Sequence, residues 1–516
     1  MRYAHEVAKV RAAEQALMAR LPEGALMQRA AAGLAATCAR LLGGVYGAQV
    51  VVLAGSGDNG GDALYAAERL ARRGARTHAL LAGSRVHPAG AAALRSAGGR
   101  LVEAGDEAAQ RLLDDADLII DGMLGIGGRG GLREPQASLA EGAARSGGLV
   151  VAVDLPSGID ADTGVVDGTA IRADVTVTFG TYKPGLLIDP GASHAGVTEL
   201  VDIGLAGELA EPDVVALQSG DVAEMLPRPS AAADKYRRGV LGVHSGSDRF
   251  TGAAVLSVGG AVHGGAGMVR YLASSPGVAG LVRERWPEAV ITVAEPPADA
   301  ASAAAVISDA GRVQAWVAGP GMGTGNDAGR LLTAVLDTDV PVVVDADGLT
   351  LLAAGPVPLR RAAPTLLTPH AGELARLLRT SREDVEARRL EHARRGAAEL
   401  GATVLLKGST TVIAGRNGPA WVNTMQTGWL ATAGTGDVLS GLIGALIAQG
   451  LLVPGQVVPG QIAKGLEMQH AAAAAAYLHG LAGRVASSGA PIGAADVIGA
   501  LPAAFRIVAA GRPRSR

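Results

Sequence analysis

The chain is poor in several residue types, and each shortage excludes a class of protein. Cys38 is the only cysteine among 516 residues, so neither an intrachain disulfide nor a cluster of cysteine thiolates around a metal is available. Aromatic residues make up only 3% and no basic tract is interleaved with them, which argues against a nucleic-acid-binding module. The formal net charge is -3, so the composition indicates no polyanionic partner.

Long uninterrupted apolar segments are also missing. The first ten residues include Arg2, Glu6 and Lys9 and contain no apolar core, so they do not resemble a signal peptide. The longest apolar run, 439–453, is interrupted by glycine and polar residues and predicts a buried helix rather than a membrane span. We therefore expect a cytoplasmic protein without a membrane partner.

The length and the pattern of the chain predict two α/β domains, 1–213 and 214–516, because 516 residues exceed one ordinary core. A proline-rich break at 211–229 separates two stretches in which β-branched runs alternate with helical patterns, as in parallel sheets. Such sheets place ligands at the carboxyl ends of their strands. The predicted strands are Gln49–Ala54, Arg76–Ala82, Asp117–Asp121, Leu149–Asp154, Asp174–Phe179, Val240–His244, Met268–Leu272, Val290–Val293, Ala315–Ala318, Pro341–Asp345, Thr365–Leu367 and Thr403–Leu406.

The loop after the first of these strands is rich in glycine. Gly55, Gly57 and Gly60 match the dinucleotide pattern G-x-G-x-x-G between a strand and a helix. An NAD-binding fold also has an acidic residue about 20 positions further on, but no Asp or Glu lies between Glu68 and Glu103. The pattern favours phosphate binding over an ordinary NAD site, and a tight turn that needs glycine is the alternative.

Two further loops of the first half follow predicted strands. In the glycine-rich loop 121–131, Arg129 is suited to gripping a phosphate. Asn59, Asp121 and Ser157 offer hard oxygen ligands at neighbouring strand ends, which suits an alkali or alkaline-earth cation rather than zinc. Each of these residues taken alone is more often a turn or cap residue, so that interpretation stays open.

Three motifs of the first 210 residues resemble, in their order, those of the NAD(P)H-hydrate epimerase family. They are Asp-Asn-Gly-Gly-Asp at 58–62, Asp-Gly-Met-Leu-Gly-Ile-Gly at 121–127 and Val-Asp-Leu-Pro-Ser-Gly-Ile-Asp at 153–160. The resemblance implies a Rossmann-like three-layer sandwich that interconverts the R and S forms of hydrated nicotinamide cofactors. The chain departs from the family at Asp58 and Ala63, where Asn and Gly are usual.

The same resemblance implies roles for individual residues. Asp154 becomes the catalytic acid/base, and Asn59, Asp121 and Ser157 become ligands of K⁺. The implied substrate-binding residues are Asp58, Asn59, Gly60, Gly61, Asp62, Gly125, Ile126, Gly127, Gly128, Arg129, Gly130, Gly131 and Asp154.

In the second half, a glycine turn at 432–436 opens onto a predicted helix with Asp437 at the junction. Backbone N–H groups and the helix dipole converge there on an anion, most naturally a phosphate. A carboxylate beside a phosphate is suited to take a proton from a hydroxyl that attacks phosphorus. An acidic N-cap is the alternative, and this motif alone leaves both interpretations open.

Two more loops of the second half contain chemically useful groups. Lys407–Thr411 supplies a cation, hydroxyls and free amides after a strand, a reasonable cradle for a polyphosphate. His370 lies in a loop after another strand, where a ligand role and a purely structural role are both open.

Residues 225–505 resemble the NAD(P)H-hydrate dehydratase branch of the ribokinase-like fold. The motifs appear in that branch's order as Lys235-Tyr236 with Gly239, Gly319-Pro-Gly-Met-Gly323, Asp345-Ala-Asp-Gly-Leu349, Thr368-Pro-His-Ala-Gly-Glu373 and Gly434-Thr-Gly-Asp437. The resemblance makes Asp437 the catalytic base. The implied substrate contacts are Ala253, Gly321, His370 and Asp437, and the implied nucleotide contacts are Lys407, Gly408, Ser409, Thr410, Thr411 and Gly436.

Together the two resemblances imply repair of hydrated NAD(P)H, with ADP as co-substrate yielding AMP and phosphate. Mg²⁺ is expected with the nucleotide, and we expect a homo-oligomer. The alternative is a ribokinase-like small-molecule kinase fused to a nucleotide-binding domain without catalytic activity.

Overall fold

The structure is a computed structural model, and it divides the chain into two compact units. One is Tyr3–Val214, and the other is Met1–Arg2 together with Val215–Arg516. The residues it describes are 1–83, 85–105, 107–229, 231–355, 359, 361–425, 427–450 and 466–511.

The first unit is built on a seven-stranded parallel sheet. The chain up to residue 201 has eight strands, and all of them except β1 belong to this sheet. They are β1 Arg2–Ala4, β2 Gln49–Ala54, β3 Arg76–Leu81, β4 Arg100–Glu103, β5 Leu118–Gly122, β6 Leu149–Val153, β7 Val175–Phe179 and β8 Val197–Val201. The strand order in the sheet is β4-β3-β2-β5-β6-β7-β8, and all six pairings are parallel. The order reverses between β2 and β5, so a crevice is expected at the carboxyl ends of these two strands.

Helices cover both faces of this sheet. They are α1 Val7–Met18, α2 Ala25–Leu42, α3 Asp58–Arg72, α4 Pro88–Ser96, α5 Glu107–Asp114, α6 Gln136–Arg145 and α7 Ala192–Ala195, with a 3₁₀ turn at Pro184–Leu186. One apolar core packs the four helices α1, α2, α3 and α4 against Val50, Val52 and Ala54 of β2. A second packs α5 and α6 against the intervening β2 residues, Val51 and Leu53. Because both faces are covered, β2 reads as the continuous apolar run Val-Val-Val-Leu-Ala. The predicted three-layer sandwich is confirmed.

The second unit contains a larger mixed sheet. Its strands are β9 Val214–Ala216, β10 Val240–His244, β11 Met268–Ala273, β12 Val290–Val293, β13 Ala315–Ala318, β14 Val342–Val344, β15 Thr365–Leu367, β16 Thr403–Leu406, β17 Thr411–Ala414 and β18 Ala420–Asn423. They follow the order β9-β18-β17-β16-β15-β14-β13-β10-β11-β12. Strands β10 to β16 pair in parallel, whereas β17 is antiparallel to both of its neighbours β16 and β18. The order reverses between β13 and β10.

The helices of the second unit again form two outer layers. They are α8 Ser219–Met225, α9 Thr251–His263, α10 Pro276–Arg285, α11 Ala300–Asp309, α12 Asn326–Leu336, α13 Asp347–Ala354, α14 Ala371–Leu378, α15 Arg382–Ala387, α16 Arg389–Leu400, α17 Thr435–Gln449, α18 Leu466–Ser487 and α19 Ala494–Ala510, with a 3₁₀ turn at Gly428–Leu430. One core packs α8 to α10 and α17 to α19 against the sheet, and another packs α11 to α13 against its opposite face.

The predicted apolar run at 439–453 lies largely in α17, whose residues are mostly buried, while 451–453 lie outside the described residues. None of the helices in the described ranges has the length and apolarity needed to cross a membrane.

Candidate active sites

The first site lies at the reversal of strand order between β2 and β5. Asp58–Asp62 begin α3 directly after β2, and the loop up to 131 leaves the end of β5. The side-chain amide of Asn59 donates to the backbone oxygens of Leu124 (3.1 Å) and Val153 (2.5 Å). Asn59 therefore connects the loops that follow β2, β5 and β6.

The three predicted cation ligands lie close together around Leu124. The Ser157 hydroxyl donates to Asp121 Oδ1 (2.7 Å), and the Ser157 N–H donates to Asp121 Oδ2 (2.8 Å). The same hydroxyl accepts from the N–H of Leu124 (2.9 Å), the residue whose carbonyl receives the Asn59 amide. Burial raises the pKa of Asp121 to about 6, although hydrogen bonds from Ser157 oppose the shift. A carboxylate, an amide oxygen and a hydroxyl are donors suited to a hard cation such as K⁺, which would offset the cost of burying Asp121.

The glycines after β5 allow close approach of neighbouring groups. A Cβ on Gly125 would lie 2.5 Å from Asn59 Oδ1, and a Cβ on Gly127 would lie 2.9 Å from Arg11 Nη2. Arg129, the predicted phosphate ligand, is exposed. Arg11 of α1 is a second cation near this loop, as its distance to Gly127 shows. The other predicted residues of this loop, half-buried or exposed, are Ile126, Gly128, Gly130 and Gly131.

The start of α3 is packed tightly against β5. A Cβ on Gly60 would lie 2.1 Å from the carbonyl oxygen of Gly55, and Gly61 is buried beside it. Ala63 contacts the backbone of β5, because a Cβ on Gly122 would lie 2.6 Å from Ala63 Cβ. Glycine is therefore required at 60 and 122 by close approach, while an alanine fits at 63.

Asp154 forms a buried ion pair that the sequence did not predict. Its Oδ1 accepts from the Lys183 ammonium, from Thr178 Oγ1 (3.0 Å) and from the N–H of Phe179 (3.2 Å). Asp154 is 6% exposed and Lys183 is 1% exposed. The backbone of Asp154 is left-handed with φ 66°, a strained conformation that marks functional positions.

Further carboxyl groups surround this pair. Asp62 is 7% exposed, and its Oδ1 has no hydrogen-bond partner among the residues that the structure describes. Burial, and then the charges of Asp154 and of the exposed Asp58, raise the pKa of Asp62 well above its ordinary value. Burial and Asp154 likewise raise the pKa of Glu14 from α1. Perturbed carboxyls grouped around a strand end are typical of functional sites.

The second site lies at the reversal of strand order between β13 and β10. Gly321 adopts φ 59°, and a Cβ there would lie 2.7 Å from the Cβ of Ala253. The structure thus brings these two predicted substrate contacts together. Gly319 (φ 129°) lies so close to β14 that a Cβ would be 1.9 Å from the carbonyl oxygen of Asp345.

Asp437 is the third residue of α17, and Gly434 (φ 89°) occupies the N-cap position. The interpretation of Asp437 as an N-cap is therefore wrong. Burial, and then the charge of Asp345, raise the pKa of Asp437 to about 7, while Lys407 opposes the shift. A Cβ on Gly436 would lie 3.4 Å from Lys407 Nζ, so this glycine leaves the approach to the lysine open.

A polar network near Asp437 connects the ends of β14 and β16 with the helices α14 and α17. The Lys407 ammonium donates to Asp345 Oδ1 (2.7 Å) and lies 4.0 Å from Glu373 Oε2. The Ser440 hydroxyl of α17 donates to Asp345 Oδ2 (2.7 Å). Although burial disfavours its charged form, the carboxylates of Asp345 and Glu373 raise the pKa of Lys407. The network holds a fixed positive charge beside the candidate base.

Arg389, which is 5% exposed, holds the backbone of the predicted nucleotide-binding loop 407–411. Its guanidinium donates to the carbonyl oxygens of Lys407 (2.8 Å) and Thr410 (3.2 Å), and a Cβ on Gly408 would lie 2.1 Å from it. Of the remaining predicted residues, Ser409 is exposed and Thr411 is buried in β17.

His370 is the N-cap of α14. Its Nδ1 accepts from the N–H groups of Gly372 (3.0 Å) and Glu373 (3.2 Å), and the Glu373 carboxylate accepts the N–H of His370 (2.8 Å). Burial, and also the Lys407 charge, lower the pKa of His370, whereas Glu373 opposes the shift. Because Nδ1 accepts, the neutral ring carries its proton on Nε2, on a side chain that is 58% exposed. Because helix capping by His370 uses Nδ1, the Nε2 edge of its ring is available to a ligand.

Sequence reasoning assigned no role to the second partner of each ion pair, Lys183 in one unit and Asp345 in the other, although Asp345 lies in one of the recognised motifs. Asp345 stands directly after β14 and offered the same strand-end signal as Asp437. In the described ranges, no three His, Cys, Asp or Glu side chains are grouped so as to hold a metal. The ligands of the expected Mg²⁺ are thus unassigned.

Comparison with protein families places a different match on each half of the chain. Residues 23–185 match the family model described as YjeF-related protein N-terminus, and residues 241–498 match that of NAD(P)H-hydrate dehydratase. Among solved structures, a ribokinase-like superfamily protein from Enterococcus faecalis matches with a TM-score of 0.50 and 24% identity, covering 58% of this chain and 98% of that protein. This likeness confirms the ribokinase-like fold of the second unit. An ADP/ATP-dependent NAD(P)H-hydrate dehydratase from Bacillus subtilis matches at 27% identity with a TM-score of 0.47, covering 56% of this chain and 97% of that one.

Curated relatives extend over both halves. The bifunctional NAD(P)H-hydrate repair enzyme Nnr of Mycobacterium leprae is 49% identical over 457 residues, which is 87% of this chain and 90% of the relative. The enzyme of the same name from Mycobacterium tuberculosis is 48% identical over equal coverage. The chain therefore belongs to the family of bifunctional NAD(P)H-hydrate repair enzymes.

Proposed function

We propose that this protein returns hydrated NADH and NADPH to their functional forms by two successive reactions. The unit containing Asp154, within residues 1–213, interconverts the R and S hydrates. The unit containing Asp437, within 214–516, dehydrates the S form at the expense of ADP and releases AMP and phosphate. The observation that carries the proposal is the similarity to a bifunctional repair enzyme along 87% of the chain. The two family matches, at residues 23–185 and 241–498, include Asp154 and Asp437.

The second site supports a mechanism in which a poor leaving group becomes a good one. Asp437 takes the proton of the substrate hydroxyl, and the hydroxyl oxygen attacks the terminal phosphorus of ADP while AMP departs. Phosphate then leaves its ring carbon as the neighbouring carbon loses a proton to solvent and the double bond re-forms. The substrate thus loses the elements of water as the hydroxyl oxygen, which ends in phosphate, and two protons, one taken by Asp437 and one released to solvent. The amides at Gly434–Gly436 and the Lys407 ammonium stabilise the negative charge of the transferred group.

We also propose one metal ion for each site. Asn59, Asp121 and Ser157 would hold K⁺, which would supply positive charge among the buried carboxyls of the first site. Mg²⁺ would neutralise charge on the nucleotide phosphates of the second site. The cytoplasmic location and the homo-oligomeric state remain predictions.

The dehydratase reaction is tested with the purified S hydrate of NADH and ADP. We expect reduced nicotinamide, AMP and phosphate to appear in equal amounts. The alternative, a small-molecule kinase, would form a stable phosphate ester of some other alcohol and release no phosphate from the hydrate. That result would remove the dehydratase assignment, and a comparison of ADP with ATP in the same assay fixes the phosphoryl donor.

A further inference from the structure

Lys183 is the most deeply buried cation of the first site. It follows β7 and precedes a 3₁₀ turn, and its side chain is 1% exposed. Its ammonium donates to Asp154 Oδ1, to Thr178 Oγ1 (3.0 Å) and to the carbonyl oxygen of Phe179 (3.2 Å). The three protons of the ammonium thus have three acceptors, which is the condition for keeping a charged lysine out of water.

The two oxygens of the Asp154 carboxylate have different surroundings. Oδ1 receives the Lys183 ammonium, the Thr178 hydroxyl (3.0 Å) and the Phe179 N–H (3.2 Å). Oδ2 accepts no hydrogen bond from the part of the chain that the structure describes. The Asp154 side chain also retains 9% exposure while Lys183 retains 1%, so the carboxylate is the member of the pair that a ligand can reach.

We propose that Lys183 is the positioning residue of the epimerase site, holding Oδ1 of Asp154 so that Oδ2 faces the substrate as proton acceptor. The inference rests on the proposed epimerase function. When Oδ2 takes the proton of the substrate hydroxyl, that oxygen forms a carbonyl and the bond from its carbon to the ring nitrogen breaks, the nitrogen keeping the electron pair. The nitrogen then re-adds to the opposite face of the carbonyl and the proton returns from Oδ2 to the new hydroxyl, so the carboxylate is regenerated. Lys183 itself exchanges no proton.

The charges around Asp154 explain why a cation is needed there. Asp58 and Asp62 face it from α3, and Glu14 faces it from α1, where Arg11 is also near. Asp154 therefore lies among three other acidic side chains. Among the described residues, Lys183 is the cation in direct contact with Asp154, and this contact fixes the position of Oδ1.

The test compares two variants in an epimerisation assay without ADP, in which the R and S hydrates are separated chromatographically. Lys183→Met removes the charge. We expect kcat at neutral pH to fall about 30-fold or more with KM changed less than about 3-fold, and the acid limb of the pH–rate profile to move up by about one unit or more. Lys183→Arg keeps the charge but not the three-way contact, so we expect kcat to fall about 10-fold while the acid limb stays within about half a unit. The dehydratase rate of each variant on the S hydrate serves as the control for intact protein.

An unmoved acid limb in Lys183→Met, or a kcat equal to that of the unmodified protein in Lys183→Arg, would overturn the inference. Losing one member of a buried ion pair can prevent folding, because it leaves an unpaired charge. In that case Lys183→Arg, measured in the same way, decides the question. Asp154→Asn separates this inference from the proposed function. If that variant still epimerises, the assignment of the base fails, whereas an inactive Asp154→Asn beside an unaffected Lys183→Met refutes only the role of Lys183.

Discussion

At the scale of single residues, Asp437 has the protonation behaviour of a base that works near neutral pH. Burial, and then the charge of Asp345, raise its pKa to about 7. A base must be ionised, so the fraction of active protein increases as the pH rises through that value. We expect kcat/KM of the dehydratase to rise up to about pH 7 and to level off above it, and Asp437→Asn to reduce the rate about 10²- to 10⁴-fold. Epimerisation by the same variant serves as its control.

Asp345→Asn tests the electrostatic origin of this pH dependence. The substitution removes a negative charge near Asp437 and frees the Lys407 ammonium that Asp345 holds. Both changes favour the ionised form of Asp437, so the acid limb of the dehydratase profile should move to lower pH. A limb that stays in place or moves upward would show that another group sets it.

Asp62 makes a separate prediction about stability. Its pKa is raised in the folded protein, so the folded state binds this proton more tightly than the unfolded chain does. Its stabilising contribution is full below the unfolded pKa of about 4 and is lost as the pH rises through the folded value. Asp62→Asn does not titrate. Between about pH 5 and about pH 8, we therefore expect the free energy of unfolding to fall more for the unmodified protein than for this variant, measured by denaturant titration. Equal changes in the two proteins would contradict the raised pKa.

The sequence predicted the strand-end carboxylates better than their partners. Asp154 and Asp437 stand in recognisable motifs next to strands, whereas Lys183 is 29 residues away from Asp154 along the chain and is brought to it by the pairing of β6 with β7. One usable signal was the scarcity of lysine, since the chain has five. Two of them, Lys183 and Lys407, form ion pairs with buried aspartates at strand ends.

At the scale of elements, glycine sets the distance between the helix that carries Asp437 and its neighbour α9. A Cβ on Gly441 of α17 would lie 2.0 Å from the carbonyl oxygen of Ser257, and one on Gly260 of α9 would lie 2.2 Å from that of Val438. The two backbones are therefore in direct contact, and this contact fixes where α17 begins.

We expect Gly441→Ala to destabilise the second unit by about 1–3 kcal/mol, because the helices must separate to admit the methyl group. The matched control is Gly499→Ala in α19, where a Cβ meets nothing within 4 Å. That change should be neutral or stabilising by up to about 1 kcal/mol, since alanine favours the helix. Thermal unfolding of both variants, together with dehydratase activity, makes the comparison. Equal effects would show that the contact between α9 and α17 is not tight.

The apolar β-branched runs identified most of the parallel strands within one or two residues. The antiparallel pair β17 and β18 was not predicted, because the prediction followed strands that alternate with helices and no helix separates β16, β17 and β18. Asn417-Gly418 between them is a hairpin signal that the apolar pattern does not contain. The edge strands β4 and β8 were missed for a different reason, since their half-exposed residues lack the continuous apolar character of the central strands.

At the scale of the whole molecule, one plan recurs in both units. Each candidate site lies at the carboxyl ends of parallel strands where the strand order reverses, and each contains a lysine paired with an aspartate. The two activities are complementary, because a dehydratase limited to the S hydrate leaves the R form unrepaired unless it is epimerised.

The most direct test follows recovery of reduced nicotinamide from an equal mixture of R and S NADH hydrates with the protein and ADP. We expect complete recovery, at a rate above that of spontaneous epimerisation, and recovery of only the S share in the Asp154→Asn variant. If the unmodified protein stops at the S share, the first unit is not an epimerase. If nothing is recovered, the repair function is wrong.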